Sequence, residues 1–134
     1  MRMLRSHRAH VAGIVVLAIA LFCGPVGAGA VAAIEPSDLA ARIAAGTAPV
    51  ILDVRTPDEF AAGHIPGAVN VPLAELADRL VDLKLSPTQE IVVHCQHSGR
   101  AAKAESMLLK SGYTNVRDLT GHMEAWRTGG YPLK

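Results

Sequence analysis

The sequence has 134 residues and a formal net charge of +1, a size that fits one domain. The positive sign belongs to the leading thirty residues, where Arg2, Arg5 and Arg8 stand without an acidic partner; all twelve acidic residues lie further on and leave that remainder at about −2. No basic run or basic-aromatic interleaving is present, which excludes a nucleic-acid partner, and the histidines at 64, 94, 97 and 122 have no metal-ligand spacing, so neither metal nor other cofactor is expected.

The basic head is followed by an uncharged run, Val11 to Phe22, then Gly24-Pro25 and the small-residue stretch Ala28-Gly29-Ala30. This pattern predicts a secretory signal peptide over residues 1–30, cleaved after Ala30 with Ala32 or Ala33 as neighbouring alternatives, and hence an exported, periplasmic product. An uncleaved anchor is the competing reading, because no charge interrupts Val11 to Ile34, long enough to cross a bilayer of roughly 30 Å. Only in that case would the chain contact a membrane, and its domain would still lie outside the cytoplasm. The bulky Phe22 before Cys23 argues against a lipoprotein signal. Removal of the leader leaves Cys95 as the lone cysteine, either a reactive thiol or a small buried hydrophobe.

In chain order, Pro36 to Ala45 reads as a helix capped by Ser37 and stopped by Gly46. Val50-Ile51-Leu52 is a continuous apolar strand of the kind covered on both faces. Thr56-Pro57-Asp58-Glu59 has the form of a capping box with proline at the first helical position, opening a short helix that ends by Gly63. Ala68 to Val71 is the next strand. Leu73, Leu76, Leu80 and Leu83 fall at helical spacing. Ile91-Val92-Val93 is a second buried strand, Arg100 to Lys110 a helix closed near Gly112, Val116 part of a brief strand, and Met123 to Trp126 a last helix. Strands alternating with helices predict a mostly parallel sheet with helices on both faces.

In such folds ligands bind at the carboxyl ends of strands, and Cys95 follows Val93 and His94 at one. The segment Cys95-Gln96-His97-Ser98-Gly99-Arg100 then leads into a helix. A loop closing on a helix N-terminus aims backbone N–H groups and the helix dipole at one point, and Arg100 adds a permanent charge unless it is merely a solvated first-turn arginine. A cysteine there favours the thiolate, and the same cradle suits a small oxyanion donor. His97 reads as an exposed loop residue rather than a base, since attack by a thiolate needs none, and His94 as a packed strand residue. Ser98 and Gly99 serve loop geometry.

Several ordered motifs coincide with these elements. Asp53-Val54-Arg55-Thr56-Pro57-Asp58-Glu59-Phe60, then Gly63-His64-Ile65-Pro66-Gly67-Ala68-Val69-Asn70-Val71-Pro72, the loop Cys95 to Arg100, and the endings Gly121-His122 with Trp126 and Gly130-Tyr131-Pro132 together resemble the rhodanese family. The resemblance runs from Glu35 to Lys134 and implies a rhodanese-like three-layer α/β domain over residues 31–134, with a central mostly parallel sheet flanked by helices. It further implies transfer of a sulfane sulfur from thiosulfate or a similar small anion, through a persulfide on Cys95, to cyanide or a thiol. Gln96, His97, Ser98, Gly99 and Arg100 would form the anion cradle. Asp53, Arg55, Glu59 and His64 would be structural, tying the strand and turns beside it. A leader ahead of such a domain resembles the small periplasmic members, the phage-shock type included.

Many relatives carry glycine three positions after the cysteine, where this chain has Ser98. If that position needs a positive φ, Ser98 is strained or the turn moves to Gly99. Two other functions share parts of the pattern. One is a non-catalytic binding or sulfur-carrier module, which the presence of Cys95 and Arg100 disfavours. The other is a cysteine-dependent phosphatase or arsenate reductase, whose loops enclose five residues between cysteine and arginine rather than the four found here.

Overall fold

The two most apolar runs lie at the centre of the molecule. The computed structural model describes residues 31–134; the leader assigned to residues 1–30, with Cys23 and the cleavage site after Ala30, lies outside them. Strands β1 (Ala32–Ile34), β2 (Val50–Asp53), β3 (Val69–Asn70), β4 (Ile91–His94) and β5 (Val116–Leu119) form one sheet in the order β1-β5-β4-β2-β3. Every neighbouring pair is parallel. Strands β2 and β4 are central and in register from Val50 with Ile91 to Asp53 with His94.

Alternation along the strands sorts the side chains into two cores. Leu52, Ile91, Val93 and Val116 pack with Leu76, Ala101, Ala104 and Leu108 on one face, and Cys95 belongs to this cluster. Ile51, Val92 and Leu119 pack with Leu39, Met123 and Trp126 on the other. Helix α4 (Gly99–Lys110) and the short α3 (Leu76–Arg79) therefore cover one face, while α1 (Pro36–Ala44) and α5 (His122–Thr128) cover the other. The three layers are those expected, and β4 delivers its carboxyl end to the start of α4. Among the described residues no helix is long and apolar enough to cross a membrane.

Several local expectations change. Helix α1 begins at Pro36 with Glu35 at its N-cap, and Ser37 makes no capping bond. Proline has no N–H to satisfy and a φ suited to the first helical position, so the cap falls two residues earlier, at Glu35. The leucine-spaced stretch from Leu73 to Leu83 is not one helix: a 3-10 turn at Leu73–Glu75 is followed by the single turn of α3. Its leucines still meet the core, so the spacing reported burial rather than helix length. The strand expected from Ala68 to Val71 pairs only at Val69–Asn70. By contrast, Thr56 and Glu59 complete the capping box of α2 (Pro57–Ala61) from both sides.

Candidate active site

The carboxyl end of β4 leads into a six-residue loop from Cys95 to Arg100, and Cys95 is only 1 % exposed. Its Sγ accepts the backbone N–H of Ala101, in the first turn of α4, at 3.4 Å. The preceding five backbone N–H groups, from Gln96 to Arg100, have no acceptor among the described residues. Such unsatisfied donors at a helix N-terminus favour an anion.

The loop reaches this shape without a left-handed residue. Ser98 has φ −165°, an extended value open to any residue, and Gly99 lies in the first turn of α4 with no positive φ. Neither the strain expected at Ser98 nor a compensating turn at Gly99 is present.

Arg100 is placed differently from a free charge aimed at a donor. Its two terminal nitrogens fork onto Glu59 at 2.6 and 2.8 Å, a bidentate geometry that holds both partners. The guanidinium and the Thr56 N–H keep the Glu59 carboxyl ionised down to about 2. Glu59 thus does more than tie its own turn: it caps α2 and clamps the first turn of α4. Beside Arg100 lies a shallow, largely apolar cleft of about 310 Å³, lined by Val54, Thr56, Pro72, Leu73 and Ala74. A larger cavity of about 540 Å³ lies at the amino ends of the strands, around Ala32, Glu90 and Asn115, away from Cys95.

Beneath the loop, Asp53 is fully buried and accepts from three donors of Arg55, its N–H, Nε and Nη2, at 2.7 to 3.0 Å. Arg55 also donates to the carbonyls of Glu59 and Gly63. One guanidinium therefore joins the end of β2, helix α2 and the turn after it. His64 lies in that turn, stacked on Phe60 with ring centroids 3.7 Å apart, and its backbone exchanges two 2.9 Å hydrogen bonds with Lys134. Asn70, which the sequence shows only as part of a strand and a motif, donates to the carbonyls of Asp53 and Arg55. His94 is wholly buried, and burial, opposed by the Asp53 carboxylate, pushes its pKa down to about 4. It packs the strand as a neutral ring. His97 is exposed and pairs with the equally exposed Glu124 at 2.9 Å, an arrangement that contributes little.

The start of α5 closes the loop from the opposite face. Gly121 and His122 are successive left-handed residues, with φ 68° and 53°. A Cβ on Gly121 would come within 2.4 Å of the Ala125 Cβ, so glycine is required there for space as well as conformation. The following N–H groups of Met123 and Glu124 donate to the carbonyls of Cys95 and Gln96. His122 was read from the sequence only as part of a motif, yet its Nδ1 accepts the Cys95 N–H at 3.4 Å.

A family model described as the rhodanese-like domain matches residues 35–128. The chain belongs to that family. Among curated relatives, this rhodanese-like chain is 41% identical over 93 residues to thiosulfate sulfurtransferase 16, chloroplastic, of Arabidopsis thaliana, covering 62% of the chain and 78% of the relative. It is 30% identical over 100 residues to a sulfurtransferase of Allochromatium vinosum, covering 75% and 92%. Among solved structures, a rhodanese-related protein of Thermoplasma volcanium superposes with a TM-score of 0.66 at 32% identity, covering 77% of this chain and 97% of that one. The human single-domain sulfurtransferase TSTD1 does so at 0.64 and 29%, covering 75% and 97%.

One buried group of this rhodanese-like domain has a testable effect on stability. Glu105 on α4 and Asp118 on β5 each keep a buried oxygen without a donor. Burial first, and then the adjoining Asp118 carboxyl, push Glu105 up to about 8. The native state then holds a proton that the unfolded chain releases above about 4.5, so Glu105 lowers stability progressively as pH rises from 4.5 to 8. Glu105→Gln is expected to stabilise the fold by ~2–4 kcal/mol at pH 8 and by almost nothing near pH 4.5, read from urea unfolding at both values. Equal effects at the two pH values would place the proton elsewhere.

Proposed function

We propose that this chain transfers a sulfane sulfur from thiosulfate, or a donor of similar size and charge, to cyanide or a low-molecular-weight thiol through a persulfide on Cys95. The observation that carries this reading is the run of free N–H donors from Gln96 to Arg100 in the loop that joins the buried, hydrogen-bonded Cys95 to the start of α4. The Cys95 thiolate attacks the outer sulfur of thiosulfate. The donor's S–S bond breaks, sulfite leaves with the electron pair, and a cysteine persulfide remains. Cyanide or a thiolate then attacks the terminal sulfur, carries it off as thiocyanate or a new persulfide, and returns the Cys95 thiolate. Backbone donors hold the sulfur anion in both half-reactions without a titrating base. Because Glu59 neutralises Arg100, those donors and the helix dipole carry the anion binding, and Arg100 fixes the helix that presents them. The name of the Arabidopsis relative supports thiosulfate as donor.

The four residues enclosed by Cys95 and Arg100 favour sulfur over phosphorus. A compact ring of donors suits a single sulfur, whereas a phosphoryl group under attack needs room for three equatorial oxygens and an in-line nucleophile. The purified protein is expected to form thiocyanate from thiosulfate and cyanide, and to leave an aryl phosphate intact under the same conditions. Faster turnover of the aryl phosphate would replace this reading with phosphatase chemistry.

We further propose that residues 1–30 direct export to the periplasm, on the strength of the basic head, apolar run and Ala28-Gly29-Ala30 site. Cleavage after Ala30 would spare β1, which begins at Ala32. Amino-terminal sequencing of periplasmic material should start near Val31; full-length protein confined to membranes would support the anchor.

A further inference from the structure

We propose that His122 is a positioning residue for Cys95, holding the backbone N–H of the nucleophile so that Sγ sits among the loop donors. The inference deepens the sulfur-transfer reading and rests on it for its kinetic part only.

Four observations converge on the ring. It is buried, with the residue 3 % exposed at the first position of α5. Its Nδ1 lies 3.4 Å from the Cys95 nitrogen and accepts that N–H. Its Nε2 lies 3.6 Å from Asp118 Oδ1. Its backbone has φ 53°, a left-handed conformation that disfavours any side chain but suits glycine. A histidine at such a position needs contacts that offset the strain, and the contact to Cys95 is one.

The two ring nitrogens have defined roles. Nδ1 faces a donor, so it must be the unprotonated nitrogen. The proton then sits on Nε2, which lies 3.6 Å from Asp118 Oδ1, too far for a hydrogen bond, so the contact to Cys95 alone defines the tautomer. Burial holds the ring neutral against the pull of Asp118, and His97 pushes the same way. The next residue completes the grip: Met123 N–H donates to the Cys95 carbonyl at 3.1 Å. Both polar groups of the Cys95 backbone are therefore held by residues 122 and 123. With that backbone fixed, Sγ reaches the Ala101 N–H, and the donors of residues 96–100 stay free for the transferred sulfur.

Asparagine separates the hydrogen bond from the ring. It tolerates the left-handed conformation, and its Oδ1 branches from the side chain where Nδ1 does. Glycine removes both acceptor and strain. In His122→Gly, measured against amides that exchange by global unfolding, exchange of the Cys95 amide hydrogen is expected to quicken by about 10-fold, the net worth of one hydrogen bond, and the rate of sulfur uptake from thiosulfate by the folded protein to fall by about 10-fold. His122→Asn should return both to within about 3-fold of wild type. A purely structural role would make both effects follow the unfolding free energy, with no separate rescue by asparagine. Sulfur uptake in His122→Gly equal to wild type, or equal loss in the two variants, would overturn the proposal. If the wild type takes up no sulfur, the sulfur-transfer reading fails on its own; amide exchange then decides the clamp, and an unchanged Cys95 rate in His122→Gly would overturn it.

Discussion

Cys95→Ser is expected to reduce thiocyanate formation by a factor of ~10³ or more, to the uncatalysed rate. The substitution is nearly isosteric in a site that is 1 % exposed. A serine oxygen can accept the Ala101 N–H in place of Sγ, so the loop and fold should persist. What disappears is the chemistry. An alcohol is not ionised near neutral pH and does not hold a sulfane sulfur as a persulfide does. Unfolding by urea should therefore match the wild type within ~1 kcal/mol while turnover is lost. Activity within about ten-fold of wild type would show that Cys95 is not the carrier.

Arg55→Ala is expected to be the most damaging single change to the fold, at about 3–5 kcal/mol. Arg55 is 1 % exposed and Asp53 fully buried, so the alanine variant leaves a carboxylate in the core with no guanidinium. It also strips a donor from the carbonyls of Glu59 and Gly63. Helix α2 then loses its tie to β2, and through Glu59 the clamp on Arg100 loosens. Activity should fall with stability, unlike the Cys95→Ser case. Arg55→Lys should recover only part of the loss, because one ammonium cannot reproduce the forked contacts. A stability change below about 1 kcal/mol for Arg55→Ala would mean that the buried pair contributes nothing net.

The parts of this structure legible in the sequence are those with local causes. Val50 to Leu52 and Ile91 to Val93 are short apolar runs because both faces of β2 and β4 are covered, and the run itself reports that. The capping box of α2 lies within four residues, so Thr56 and Glu59 announce it. Cys95 could be placed at a strand end because strand, loop and helix are consecutive. Strand β1 is not legible for an equally physical reason: of Ala32, Ala33 and Ile34 only Ile34 is buried, and the segment continues the uncharged run that precedes it in the sequence. Helix length after Leu73 was misjudged because leucine spacing records which side chains are buried, not how many turns connect them.

Pairings distant in sequence were not legible. Glu59 and Arg100 are 41 residues apart; Glu59 announces a capping box and Arg100 a charge at the loop, and neither states that the two will pair. Cys95 and His122 are 27 apart, and nothing in a Gly-His dipeptide states that the histidine will take a left-handed conformation against the Cys95 backbone. Asn70 is similarly silent until β3 lies beside β2, where its side chain reaches the carbonyls of Asp53 and Arg55.

Intact mass spectrometry of the purified protein, before and after thiosulfate, tests the central claim most directly. The mechanism predicts a gain of one sulfur atom on wild type, its loss on adding cyanide, and no gain on Cys95→Ser. No gain on wild type, or a gain that survives in Cys95→Ser, would contradict it.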